Sequence, residues 1–488
     1  MNVDAIPVND LFADEVTDGY SNNAGVLIVL LLYVEKYVLV FEVLAKAAVQ
    51  NLAALTSNCN TTSRGEDACA TDFANTFGRR AFRRPVTAED RTLLMAAYTA
   101  GRTGGSYAEG IEVMIRAALQ SSHFLYRLET TAPANSATTM VPLSQYEMAT
   151  RLSYLIWAAG PDDALLDAAG RGELSSRDAV ATRARTMLAD PKARVAVTDF
   201  YKQWLGTSRL DITSKSSTAF PAFTDAAREG MRLETPAFVE YVMWTGDHKL
   251  ATLLTSPTTF VTSALAPIYG VTAPANSATV PKMVTLPANQ GRSGVLTQAG
   301  FLSAQAHPDQ TSPVLRGKFV RSNMMCQPPP MPPMDIDISV PEVGSGKTAR
   351  ERFAAHLTVA ASCNSCHSLM DPIGLAFEGF DAIGRFRTTE NGVTLDLSGE
   401  VIASRDPALN GKFTGVPELA AKLAASDQVR DCLATQWFRF SAGRAEEQPD
   451  GCSLTTLQDA FAASGGDLVE LVVAMTQTDA FWYRAPLM

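Results

Sequence analysis

Cys363-Asn-Ser-Cys366-His367 gathers two thiols and an imidazole within five residues, the arrangement of a c-type haem attachment sequence. Each thiol can add to a porphyrin vinyl group as a thioether, and two intervening residues let one turn of chain present both sulfurs along one haem edge. His367 is then carried to one face of the ring, where its imidazole can ligate the iron. With seven Cys and five His in 488 residues, random placement would give this pattern in roughly one chain in a thousand. A zinc knuckle needs four ligands, usually as two close pairs, and the remaining cysteines (59, 69, 326, 432 and 452) offer no second such pair. A redox dithiol should follow a strand in an alternating βα pattern, whereas the segment before Cys363 has helical character. The pentapeptide predicts one covalently attached haem c with His367 as its proximal ligand.

The sixth iron ligand separates electron transfer from chemistry at an open iron. His356 lies on the stripe Phe353, His356, Leu357, Ala360, so it faces an apolar interior as an iron ligand or as a core histidine. His307, before Pro308, is a second candidate, followed by Met331, Met334 and Met475. Met370, three residues after His367, would share the proximal face of a helix. Arg385 and Arg387 could pair with haem propionates through bidentate guanidinium contacts, or stand as solvated surface charge. Asp371-Pro372 and Gly374 read as the turn ending the haem segment, with Glu378 and Asp381 as turn or cap residues. No Gly-x-Ser-x-Gly, HExxH, Walker or Rossmann fingerprint is present.

These residues need elements to hold them. A helix from Thr348 to Ala361 feeds the attachment sequence, and Ser312-Pro313 starts another with a capping residue and Pro in its first turn. Between them, Gln327-Pro-Pro-Pro-Met-Pro-Pro-Met334 predicts an extended polyproline strap. Beyond the haem segment, Asn391-Gly392 predicts a small hairpin, and Pro417 to Tyr483 returns to helix. The first half reads as helix almost throughout: Asp72 to Phe82, Thr87 to Ala100 with Thr87 and Asp90 as an approximate capping box, and Tyr107 to Arg127. After a linker at Thr130 to Thr139 come helices near Gln145 to Ala158, Asp162 to Ala168, Ser176 to Leu188 and Lys192 to Leu205. The expected organisation is mainly α and multi-domain: an N-terminal helical segment (1–60), helical domains (61–131 and 140–257), a cytochrome c-like haem domain with the hairpin (258–402) and a C-terminal helical domain (403–488).

A net charge of −10 argues against nucleic acid and anionic membrane surfaces as partners. The longest apolar run, Gly25 to Val34, is followed by Glu35, Lys36, Glu42 and Lys46 and falls short of the roughly 20 residues a span requires. It reads as a buried amphipathic helix and not as a transmembrane segment. Cys59 with Cys69 and Cys432 with Cys452 could each close a short disulfide loop, leaving Cys326 unpaired, although buried free thiols would also satisfy the pattern. Disulfides and covalent haem both point to an oxidising, exported location. Met1-Asn-Val-Asp-Ala-Ile lacks the regions of a secretory signal, so the chain reads as a mature or truncated form.

The stretch Cys363-Asn-Ser-Cys-His-Ser-Leu-Met-Asp-Pro-Ile-Gly-Leu-Ala-Phe-Glu-Gly-Phe-Asp-Ala-Ile-Gly-Arg-Phe-Arg387 resembles the haem segment of the multi-domain c-type cytochromes of planctomycetes and myxobacteria. Those proteins are assembled from consecutive domains of unknown function (1587, 1595, 1592, 1588 and 1585). Phe77-Gly-Arg-Arg-Ala-Phe-Arg-Arg-Pro85 and Leu143-Ser-Gln-Tyr-Glu-Met-Ala-Thr-Arg-Leu-Ser-Tyr-Leu-Ile-Trp157 are similar to their helical domains. The resemblance covers nearly the whole chain and implies an exported haem protein, periplasmic or at the cell surface, while leaving its reaction open. From the residues themselves, electron transfer by a single low-spin haem, with an unidentified redox partner, is the first expectation. A haem peroxidase or oxygenase with an open distal site is the second. The third is a surface-binding or assembly module carrying an accessory haem, because electron transfer alone needs a domain of only about 100 residues.

Overall fold

The computed structural model describes residues 14–17, 19–27, 31–130, 140–331, 340–343, 346–354 and 361–486. They are mainly helical, and their strands form only two-stranded antiparallel pairs. Two compact units result, one within Met1–Ala196 and Thr476–Met488, the other within Val197–Met475.

In the first unit, helices Glu66–Phe82, Ala88–Arg102 and Tyr107–Leu119 bury Phe73, Leu94, Tyr98, Ile111, Met114 and Ile115 in one core. The capping box expected at Thr87 forms: its hydroxyl accepts from Asp90 N while the Asp90 carboxylate accepts from Thr87 N. The helix expected to run to Arg127 stops at Leu119 and restarts as Ser122–Leu125. Ser121 breaks it by turning its hydroxyl to His123 N, the competition with helix that serine side chains offer. The C-terminal strand Tyr483–Arg484 pairs with Val141–Pro142, and Arg151 ties it down by donating to the carbonyls of Ala480, Phe481 and Tyr483. The expected Cys59–Cys69 disulfide is present.

The N-terminal helix Leu31–Ala48 departs from the buried element expected. It buries Val40, Phe41, Ala45 and Ala48 but leaves Leu31, Leu32, Val34, Leu39 and Val43 exposed. Its neighbours in this unit cover one narrow stripe, whereas its apolar residues run around most of its circumference. Among the described residues, Leu31–Leu55 is the one stretch long and apolar enough to cross a membrane.

In the second unit, helix Pro313–Phe319 begins where Ser312-Pro313 indicated, with the Ser312 hydroxyl accepting from Leu315 N. It packs against helix Ala361–Leu375, which bears Cys363 and Cys366. The helix expected to lead into that motif is seen as Ala349–Phe353, and the intervening 355–360 lie outside the described residues. The hairpin forms between Thr389–Glu390 and Val393–Thr394, with Asn391 and Gly392 at φ 51° and 80° as a two-residue primed turn requires.

The second disulfide corrects the sequence pairing. Cys432 bonds to Cys326, 106 residues away, and Cys452 is an exposed free thiol. Packing of helix Asp427–Ala442 against the π-helical turn Val320–Met324 decides this: it brings buried Cys432 to Cys326, while Cys452 stands on the solvent side of the next helix, Gly451–Ala463.

Candidate functional site

Cys363, Cys366 and His367 stand on one helix, with the two cysteines three residues apart and therefore on one face. Both are partly buried free thiols. The imidazole of His367, 22% exposed, lies one residue further on and places Nδ1 3.0 Å from each carboxylate oxygen of Asp371, which is 1% exposed. Asp371 thus holds Nδ1, so Nε2 is the ring nitrogen that could ligate a metal.

Asp371-Pro372 was expected to turn the chain here, yet the helix continues through Pro372 to Leu375. Proline inside a helix normally costs about 3 kcal/mol. Close packing compensates: the Gly374 Cα faces Pro313 O so tightly that an added Cβ would lie 1.7 Å from it, and one on Gly317 would lie 1.9 Å from Met370 O. On another side, Gly399 meets Pro372 O with room for a Cβ only at 2.7 Å. Three glycines let neighbouring backbones clamp the cysteine helix.

The segment after this helix is fixed by a buried ion network. Arg316, fully buried, donates to the carbonyls of Phe377, Phe380 and Asp381 and lies 3.7 Å from Glu378. Burial pushes the Arg316 guanidinium down to about 10. Glu378 also accepts from Thr311 at 2.8 Å and from Arg387 at 2.7 Å. Burial raises its carboxyl, against the opposing pull of Arg316 and Arg387. Glu378 is in the turn expected, between Ala376 and Gly379, and is also a buried anchor there, while Asp381 caps, accepting from Ile383 N and Arg385 N.

The other candidates are distributed as follows. Arg387 is engaged by Glu378 and, at 3.4 Å, by Glu390, and Arg385 is exposed. The backbone N–H of His307 donates to Gln310 O, and burial, helped by Lys215, lowers the pKa of its ring. Met370 and Met475 are buried, Met331 is exposed, and His356 and Met334 lie outside the described residues. The described part of the strap, Gln327 to Met331, passes beside the cysteine helix, with Pro330 O 3.6 Å from Cys366 Sγ. Among the described residues no three His, Cys, Asp or Glu side chains gather as a metal site. A porphyrin, which brings four nitrogen ligands of its own, requires no such cluster. Asp371, Arg316 and Glu378 were not singled out for these roles from sequence. The four-residue interval between His367 and Asp371 was the available signal, and Pro372 obscured it.

Comparison with protein families finds four consecutive matches: Protein of unknown function (DUF1595) over residues 69–129, DUF1592 over 143–271, DUF1588 over 292–390 and DUF1585 over 410–481. The DUF1588 match contains Cys363, Cys366 and His367. DUF1587 is not among the matches. No curated protein and no solved structure matches the chain.

Proposed function

The chain belongs to the multi-domain c-type cytochrome family assembled from these domains, and we propose that it is an exported monohaem cytochrome acting in electron transfer. The single observation that carries this reading is the pairing of His367 Nδ1 with buried Asp371, directly beside two reduced thiols on one helical face. The donor set fits a haem c: two sulfurs for thioether bonds at Cys363 and Cys366, and one oriented imidazole at His367. When bound, the haem supplies a one-electron couple. The protein's own part is to fix the imidazole, retain the ring proton between Nδ1 and Asp371, and hold the helix rigid through its glycine contacts. Little rearrangement then accompanies a change in iron charge.

Export is supported by the two disulfides, which persist in oxidising compartments. Covalent haem assembly in bacteria also takes place outside the cytoplasm. The test is to mature the full chain in a host competent for cytochrome c assembly and stain a denaturing gel for haem. Colour should stay with the protein band and be lost or weakened in Cys363→Ala and Cys366→Ala. A colourless band from the unmodified chain would end the proposal. Optical spectra with and without carbon monoxide then address the reaction: a low-spin iron that resists the gas supports electron transfer, and prompt binding favours a peroxidase or oxygenase.

A further inference from the structure

We infer that Met331 is the sixth iron ligand, carried to the iron by a stiff arm whose base is locked by the Cys326–Cys432 disulfide. The inference rests on haem attachment at Cys363 and Cys366. At the base, the chain leaves the π-helical turn Val320–Met324 and reverses at Cys326, a non-glycine residue at φ 45° held by its bond to Cys432. Arg405 donates to Cys326 O at 2.7 Å, Gln327 N donates to Arg321 O at 2.9 Å, and Gln327 Nε2 donates to Ala403 O at 2.7 Å.

From this anchor Pro328, Pro329 and Pro330 follow in succession. Consecutive prolines extend about 3.1 Å per residue with little freedom to lose, so the arm transmits the position of its base to its tip. The tip lies at the attachment helix, where Pro330 O is 3.6 Å from Cys366 Sγ. The next residue, Met331, is 89% exposed and carries a flexible, polarisable thioether side chain. Its thioether is a soft donor of the kind that ligates iron in cytochromes c. Coordination needs only a sulfur lone pair, with no proton or electron transferred. Met370 is a poor rival: it follows His367 by three residues on the same helix and is buried beside Gly317. An arm pre-set in this way would hold the thioether near the ligand position before binding, which reduces the ordering cost.

The test uses haem-loaded full chain, with covalent attachment first verified by haem staining. The unmodified protein should be low-spin and show the weak far-red charge-transfer band of sulfur–iron ligation. Met331→Ala should abolish that band, yield a high-spin iron that binds carbon monoxide and lower the reduction potential. Met331→His should restore the low-spin state without the band. Cys326→Ser with Cys432→Ser should weaken the band while keeping covalent haem. Independently of the spectrum, peptide mass mapping after brief peroxide treatment should find Met331 oxidised roughly tenfold more slowly in the haem-loaded than in the haem-free protein. Covalent haem with an unmodified chain that is already high-spin, or with a Met331→Ala spectrum unchanged, overturns the inference and leaves attachment standing. Failure of the unmodified chain to retain haem overturns the attachment reading itself.

Discussion

His367 and Asp371 face each other across one helical turn, imidazole Nδ1 3.0 Å from both oxygens of a buried carboxylate. In the proposed haem site, a carboxylate in that position would stabilise the more highly charged iron state through the imidazole. Asp371→Asn should therefore keep covalent haem but shift the midpoint potential upward by about 60 mV, a tenfold effect for one electron. Potentiometric titration of both proteins checks this. An unchanged potential would mean that Asp371 only positions the ring.

Gly374 and Gly317 set the distance between the cysteine helix and Pro313–Phe319. Gly374→Ala or Gly317→Ala forces a Cβ into opposing backbone, and should destabilise the second unit by about 3 kcal/mol or more and reduce the yield of haem-loaded protein. Gly451→Ala is the control, because nothing lies within 4 Å of its added Cβ. It should be neutral or stabilise by up to about 1 kcal/mol. Urea unfolding of the three variants distinguishes packing from a general intolerance of alanine.

Mass mapping of unreduced peptides should recover Cys59 with Cys69 and Cys326 with Cys432, and Cys452 should react with a maleimide before any reduction. Cys452→Ser should leave stability unchanged. Cys326→Ser should cost about 2–5 kcal/mol, since it reopens a long loop in the unfolded chain. Recovery of a Cys432–Cys452 peptide would reverse the assignment.

Glu234 gives the second unit a pH dependence. It is fully buried, and although Thr259 and Tyr269 donate to its carboxylate, burial pushes its pKa up to about 7. The folded state therefore favours the protonated form. Its stabilising contribution is complete below the ordinary glutamate value and is lost as pH rises from about 4.5 through about 7, on the order of 3 kcal/mol in all. Glu234→Gln keeps a neutral side chain at every pH. The stability of the variant relative to the unmodified protein should rise between pH 5 and pH 8, and a flat difference would refute the assignment.

Several features were legible in the sequence because their causes lie within a few residues of chain. The spacing of Cys363, Cys366 and His367, the Thr87–Asp90 capping box, the Ser312-Pro313 helix start and the Asn391-Gly392 hairpin each depend on local geometry, which the order of residues determines. The mainly helical character followed from apolar periodicity for the same reason. Cysteine pairing followed only for the short loop Cys59–Cys69: Cys432 is 20 residues from Cys452 but bonds to Cys326 at a separation of 106, because there helix packing and not chain distance brings the sulfurs together. Asp371-Pro372 looked like a helix end because proline lacks an N–H, and only contacts with Pro313, Gly317 and Gly399 outweigh that local preference. The composition of Leu31–Ala48 says that it is apolar, but which of its sides is covered depends on how much surface its neighbours present. Tertiary structure alone decided where the strap passes, since its course depends on a disulfide and hydrogen bonds to residues some 75 to 110 positions away.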